Sequence, residues 1–383
     1  MIGGIGKMRP CGHHHYYKYA HATTGTHPDH SDGKKRDMYQ VSREYWNDVD
    51  ENNCWNFSLE NATHLYGFCF ELGRFKKFKS KTPKLRNASS MLTGDVGRQA
   101  PSLTEIEMDY DNITNCEALF YSSKLTDLPA NFNPATRSFH HLLTGSAESG
   151  GGSIAKAHGG GFPFYPVLNE ATSPKQMFVR CKLFLDDNYT FEDATDVSHM
   201  FFADGYWGCL QECPKNLSFK KIKDATNCFF IGSNNSAASA FSWFQTKDTM
   251  EKLTNAGGMF YRQNKLADLY PDYESFSLPA LSTASGMFHQ CILNAKSIKK
   301  LSDALPDWTG NTASHPITIG CHIDHKYDPE VNVALKKLKS SYITPIEELG
   351  FTLPEEITTD KNWTITVQWN GTATSNAYPV PTA

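Results

Sequence analysis

No stretch of this sequence approaches the roughly 18 consecutive apolar residues that a membrane-spanning helix requires. Its opening, MIGGIGKMRPCGHHH, turns polar too early for the apolar region of a secretory signal. Together these absences predict a chain made in a cytoplasm and not inserted into a membrane. Charge of one sign is also missing. With 37 Lys+Arg against 41 Asp+Glu the formal net charge is -4, so no broad field attracts a phosphate backbone and nucleic acid is not expected as a partner. Cysteine is sparse, 10 in 383 residues, which excludes a disulfide scaffold and leaves the thiols as reduced, small core residues. Cys209 and Cys213 stand close enough for a zinc pair, but no second CxxC or HxxxH accompanies them.

Signatures of catalysis are lacking as well. The triplets in GGGS and HGGG suggest a phosphate loop or an oxyanion loop, yet neither a G-K-[ST] nor a G-x-S-x-G follows. Carboxylates come close in sequence at Asp109 and Asp111, Asp186 and Asp187, Glu347 and Glu348, and Glu355 and Glu356. Glycoside hydrolysis needs two of them across a sugar, and nothing in the sequence brings any two together; they read as solvated turn acids. No catalytic, cofactor-binding or metal-binding residue is therefore expected.

What the chain has in abundance is repetition. The stretch TNAGGMF carries Ala256 in a pattern of one small residue, two variable ones and two large apolar ones. The same text recurs with Ala62, Ala88, Cys116, Thr136, Pro174, Val197, Thr226 and Ala284 in the small position. Successive spacings are 26, 28, 20, 38, 23, 29, 30 and 28, so most copies lie near a 28-residue period, and the longest interval holds a glycine-rich insertion, 144–166. A second signature of paired apolar residues, as in LTEIEM, KLTDLP, LSFKKI and KLADLY, reads as one short strand per copy. The small and large residues three apart read as one face of a helical turn. A unit of this size cannot bury its own apolar face, but stacked copies cover one another. The expected fold is thus an α/β repeat: an irregular solenoid of 51–308, one short strand plus a helical turn per copy. An extended arm at 1–50 precedes it and a small α/β cap at 309–383 follows, in which PITIGCHI and NWTITVQWNG read as strands and DPEVNVALKKLKSSY as a helix, with NAKSIKKLSDALPDW reading as a helix just before the cap.

The units at 255–266 and 283–293, with TNCEALFYSSKLTDLP, resemble the leucine-rich-repeat-like bacterial surface protein family, whose repeats run to about 26 residues. The stretches ILNAKSIKKLSDALPDW, HPITIGCHI and TITVQWNG resemble the ends of such arrays in fibre-like proteins of tailed bacteriophages of gut Bacteroidales. The resemblance covers about residues 59 to 305 and implies a scaffold that displays a surface. Spacing is less regular and leucine rarer than in that family.

Function follows as an expectation: a non-enzymatic virion protein, a head or tail fibre subunit anchored by its arm and directed at the host surface. A cell-surface adhesin of the same repeat family, and a polysaccharide-degrading enzyme on the same scaffold, are the alternatives. His13, His14, His15, Tyr16 and Tyr17 are the expected arm contacts to other virion proteins or subunits, either by ordering on a partner or, for the histidines, through a shared metal. Phe162, Phe164 and Tyr165, beside glycine in the insertion, and Tyr206 with Trp207 are the expected contacts to a host glycan or protein. Fibres assemble symmetrically, so a homo-oligomer, dimer or trimer, is expected.

Overall fold

The computed structural model describes residues 54–56, 59–65, 77–92, 104–121, 123, 125–145, 154, 157–203, 210–214, 216–232, 241–354, 357–375 and 377–382. His13, His14, His15, Tyr16 and Tyr17 of the arm, and Tyr206 and Trp207, lie outside the described residues. The chain divides into two compact units, Met1–Thr136 and Arg137–Ala383. Among the described residues no helix is long and apolar enough to cross a membrane.

In the first unit three short strands, β1 (Cys54–Asn56), β2 (Lys77–Lys79) and β3 (Glu105–Glu107), form a parallel sheet in that order. The sequences K-F-K and E-I-E explain the last pairing. Alternation turns Phe78 and Ile106, which are register partners, into the interior. The flanking charges meet outside as ion pairs, Lys77 Nζ to Glu105 at 2.8 Å and Lys79 Nζ to Glu107 at 3.0 Å. Away from the sheet, His64, Asn87 and Asn115 form successive parallel bridges. From there Ala88, Ser90 and Leu92 donate their N–H groups to Asn115, Glu117 and Leu119 of the next copy.

The second unit repeats that arrangement. Ala225, Asn227, Phe229 and Ile231 donate to Asn255, Gly257, Met259 and Tyr261, and Ala256, Gly258, Phe260 and Arg262 donate to Thr283, Ser285, Met287 and His289. The register corrects two copies: Ala225, not Thr226, and Phe139, not Thr136, occupy the position of Ala256, since Ala225 and Phe139 donate to Asn255 and Ser173. At the large positions Met177, Met200, Cys228, Met259 and Met287 are all buried. Next to them the rings of Phe178, Phe201, Phe229, Phe260 and Phe288 stack in one inner row, with successive centroids 5.6, 5.5, 5.5 and 5.4 Å apart. Parallel backbones about 4.8 Å apart bring the same residue of each copy above its predecessor, so equivalent rings have to stack.

The segment expected as a helical turn is a tight turn instead. Met259 N–H bonds back to Ala256 O, and Gly258, the third residue, has φ +62, the sign pattern of a type II turn. The same position has positive φ in every copy from Ala88 on: Ser90, Ala118, His141, Gln176, His199, Asn227, Gly258 and Gly286. A right-handed helical turn is excluded there because alternate N–H groups are committed to the neighbouring copy. An Asx turn prepares the bend: the side chains of Asn87, Asn115, Asp196, Asp224 and Asn255 each accept the N–H two residues on. Only two copies use glycine, so the others carry left-handed strain of about 1 kcal/mol or more each. Ala118→Gly is accordingly expected to raise stability by about 0.5–1 kcal/mol after the entropy of glycine is offset, read as a higher urea midpoint at unchanged slope.

After the last copy come α2 (Ala295–Ala304), β8 (Pro316–His322), α3 (Pro329–Leu338), α4 (Pro345–Glu348) and β9 (Thr364–Asn370); earlier in this unit lie α1 (Pro166–Asn169), β4 (Gly161–Phe162), β5 (Phe184–Leu185), β6 (Trp243–Phe244) and β7 (Asp268–Leu269). The helices begin where their caps stand: Asn294 accepts from Ser297 N–H, Asp328 from Glu330 N–H, and Thr344 with Glu347 forms a capping box. Lys361 Nζ donates to the carbonyls of Ser302, Asp303 and Leu305, closing the C-terminal end of α2. β8 continues the hydrogen bonding of the last copy, accepting from Ala284, Phe288 and Leu293 through Pro316, Thr318 and Gly320, and pairs on its other side with β9 in parallel.

Candidate binding surface

Residues that follow four of the five inner phenylalanines are only half-buried; after Phe178 comes Val179, which is buried. In M-F-F, C-F-F, M-F-Y and M-F-H the third residue is Phe202, Phe230, Tyr261 or His289, all half-buried. They form a second, outer stack with centroids 4.9, 4.6 and 4.3 Å apart and interplanar angles of 10–14°. Arg262 lies 5.3 Å from the Tyr261 ring centroid and anchors its Nη1 on Gly232 O at 2.6 Å.

Beside this stack runs the row of left-handed residues. His140 Nε2 lies 2.6 Å from Gln176 Oε1, and His199 Nε2 lies 3.1 Å from Asn227 Nδ2. At the far end the side-chain amide of Gln368 is oriented by its neighbours. Its Oε1 accepts Gln290 N–H at 2.9 Å, so its Nε2 donates to His289 Nδ1, also at 2.9 Å, and that nitrogen has to carry a lone pair. Burial, with Arg262 adding to it, holds His289 below the ordinary imidazole range; burial and then Lys175 do the same for His199. The lone pair that His289 Nδ1 offers to Gln368 leaves that ring neutral, so the outer stack itself is uncharged. Stacked rings cover one another's faces and leave their edges outward, where the positive end of the ring quadrupole meets acceptors. A stack of ring edges flanked by amides and imidazoles suits a ligand rich in hydroxyl or carbonyl oxygen.

Of the contacts expected in the insertion, Phe162 is a core residue. It is buried, 5.0 Å from the Phe178 ring and 5.7 Å from that of Tyr165. Phe164 and Tyr165 are half-buried and tied to Tyr189: the Phe164 ring packs edge-on at 5.0 Å, and Tyr165 N–H donates to the Tyr189 hydroxyl at 2.8 Å. Gly161 and Phe162 pair with Phe184 and Leu185, so this end of the insertion is part of the copy-to-copy pairing and not a loose loop. Phe184 was missed, and at 49% exposure it is the exposed phenylalanine among the described residues; its ring lies over Gly160.

Three of the acids serve structural ends, and Glu355 and Glu356 lie outside the described residues. Asp109 accepts Thr82 N–H at 2.6 Å, Asp186 caps its own turn at Asn188, and Glu347 binds Lys336 at 2.7 Å. Burial pushes the Cys213 thiol up to about 12, which makes it unreactive. No group of three or more His, Cys, Asp or Glu that could hold a metal ion occurs among the described residues. No protein-family model, characterised protein or solved structure matches this chain.

Proposed function

We propose that the chain is a non-enzymatic display scaffold, a fibre subunit of a bacteriophage virion, built as a leucine-rich-repeat-like solenoid whose outward row contacts an oxygen-rich host-surface ligand such as a glycan. One observation carries the binding part: the unbroken stack Phe202, Phe230, Tyr261 and His289, held outward by a backbone whose inward row is a separate stack of phenylalanines. A core does not need the second stack. Placement in a virion rests on the repeat text and on the stretches after it.

A double variant, Phe230→Ser with Tyr261→Ser, tests the contact. Because both side chains are half-buried, the variant should stay folded, its unfolding midpoint falling only by the roughly 1 kcal/mol per ring that lost stacking costs. Binding to an array of bacterial surface polysaccharides and to intact host cells should fall by about tenfold or more, the size of losing aromatic anchors from an interface. Undiminished binding by a folded double variant would overturn the assignment of this face. Antibody labelling of purified particles locates the chain, and particles devoid of it would sink the virion setting.

A further inference from the structure

Among the described residues, the stack of hydrogen-bonded segments in the second unit ends on β9, and no further segment pairs with it. Thr364 N–H donates to His315 O at 2.9 Å. In the parallel register Pro316 with Thr364 through His322 with Asn370, this turns the backbone groups of Thr364, Thr366, Gln368 and Asn370 toward β8. The N–H and C=O groups of Ile365, Val367 and Trp369 therefore point away from the sheet, and among the described residues no strand lies there, because β9 is an edge strand of its two-stranded sheet.

Edge strands of this length are ordinarily guarded by charge, proline, a bulge or a covering element. Thr364–Asn370 has no Lys, Arg, Asp, Glu, Pro or Gly, and its seven residues pair without a bulge. Its side chains are also only partly covered. Ile317, Ile319 and Cys321 of β8 are fully buried, whereas their register partners Ile365, Val367 and Trp369, on the same face, are half-buried. The apolar face thus extends one strand beyond its cover.

We propose that this edge is the contact between two copies of the chain, with β9 pairing antiparallel to β9 of the second copy about a twofold axis at Val367. The strand fits itself. Val367 faces its own counterpart and Ile365 faces Trp369, a β-branched residue against an aromatic one, while Thr366 meets Gln368 and Thr364 meets Asn370. Each outward-facing pair exchanges two backbone hydrogen bonds. A neutral strand brings no like charges together across the axis, which a second copy requires and a partner recognised by charge would not. With one such seven-residue edge among the described residues, the twofold closes at a dimer. This inference goes beyond the display function, and its readout involves no receptor, so either can fail without the other.

Light scattering on the full chain over a range of concentrations should give the dimer mass. Val367→Pro removes an N–H that points away from β8, so it should leave the ladder to β8 intact and yield a monomer with unchanged circular dichroism. Val367→Lys places two like charges opposite each other and should weaken the dimer by about tenfold or more while keeping every backbone group. It carries the test if the proline variant unfolds. Hydrogen exchange of the peptide spanning 364–370 should slow as concentration rises. A wild-type monomer at all concentrations, a trimer, or folded variants that both remain dimeric would overturn the proposal.

Discussion

Gly320→Ala is expected to separate the C-terminal elements from the repeat stack, at a cost of several kcal/mol. Gly320 sits in β8 where that strand lies against the last copy, and its own carbonyl accepts Leu293 N–H at 2.9 Å. A Cβ there would stand 2.7 Å from both the N and the O of Cys291 and closer still to Phe288 O. All three obstacles are backbone, so no side chain can rotate aside. Either β8 shifts, losing the bonds from Ala284, Phe288 and Leu293, or it distorts against them. Overpacking alone costs about 1–3 kcal/mol, and each lost hydrogen bond about 1 kcal/mol more. Urea unfolding should show an early transition, with faster hydrogen exchange in 284–293 and 316–322 while 225–262 keeps its protection. One cooperative transition at the parental midpoint would show that β8 does not hold this position. Gly286→Ala is the control, since a Cβ there makes ordinary contacts with the Tyr261 ring and with Gly258, and only its φ of +69 opposes the change.

Much of this arrangement can be read from residues, and the failures have identifiable causes. Ala256, Met259 and Phe260 declare the inward positions because small and large residues recur at fixed offsets, and Ala284, Met287 and Phe288 repeat them. In DATNCFF the eye takes the Phe-Phe pair for the large-large pair. The structure puts Cys228 and Phe229 inward and Phe230 outward, because a cysteine fills the place of methionine and a pair of identical rings does not say which of them faces the core. Phe139 in a position otherwise held mostly by small residues was illegible for the same reason: burial depends on the neighbouring copy, which the local text does not describe. The local turn was misread because small and large residues three apart fit both a helix and a tight turn. The deciding signal was the Asn or Asp just before the small residue, which prepares a bend with an Asx turn.

The surface was less legible than the core. Glycine next to phenylalanine in FPFYP suggested an exposed loop, yet Phe162 is held inward by strand pairing with Leu185. The outer stack could have been found by aligning the residue after the inner phenylalanine in the last four copies, Phe202, Phe230, Tyr261 and His289, which are all rings, whereas the copy before them has Val179 there. The open edge of β9 could not have been found so. Thr364 to Asn370 alternates as a strand, but whether a strand has one neighbour or two is decided by the rest of the chain.

The inner and outer stacks should differ sharply when a ring is removed. Phe260 is 1% exposed; its ring stacks on Phe229 at 5.5 Å and Phe288 at 5.4 Å and meets Phe244 edge-on at 4.7 Å. Phe260→Ala removes contacts on three sides at once and leaves a space that the stacked backbones cannot close, since their separation is fixed by hydrogen bonds on both flanks, Phe260 N–H to Met287 O and Phe229 N–H to Met259 O. The expected cost is about 3–5 kcal/mol, the range for large core aromatics. Phe230→Ala, one position further along in the preceding copy, removes a half-buried ring between Phe202 and Tyr261 and should cost about 1 kcal/mol from the loss of stacking. Both are read from urea midpoints at equal slope. Equal losses would mean that the two rows share one environment, and the division into a row that holds the chain together and a row that faces a partner would fail. If Phe260→Ala costs the larger amount while surface-polysaccharide binding per folded molecule is unchanged, and Phe230→Ala does the reverse, each stack has the role its exposure gives it.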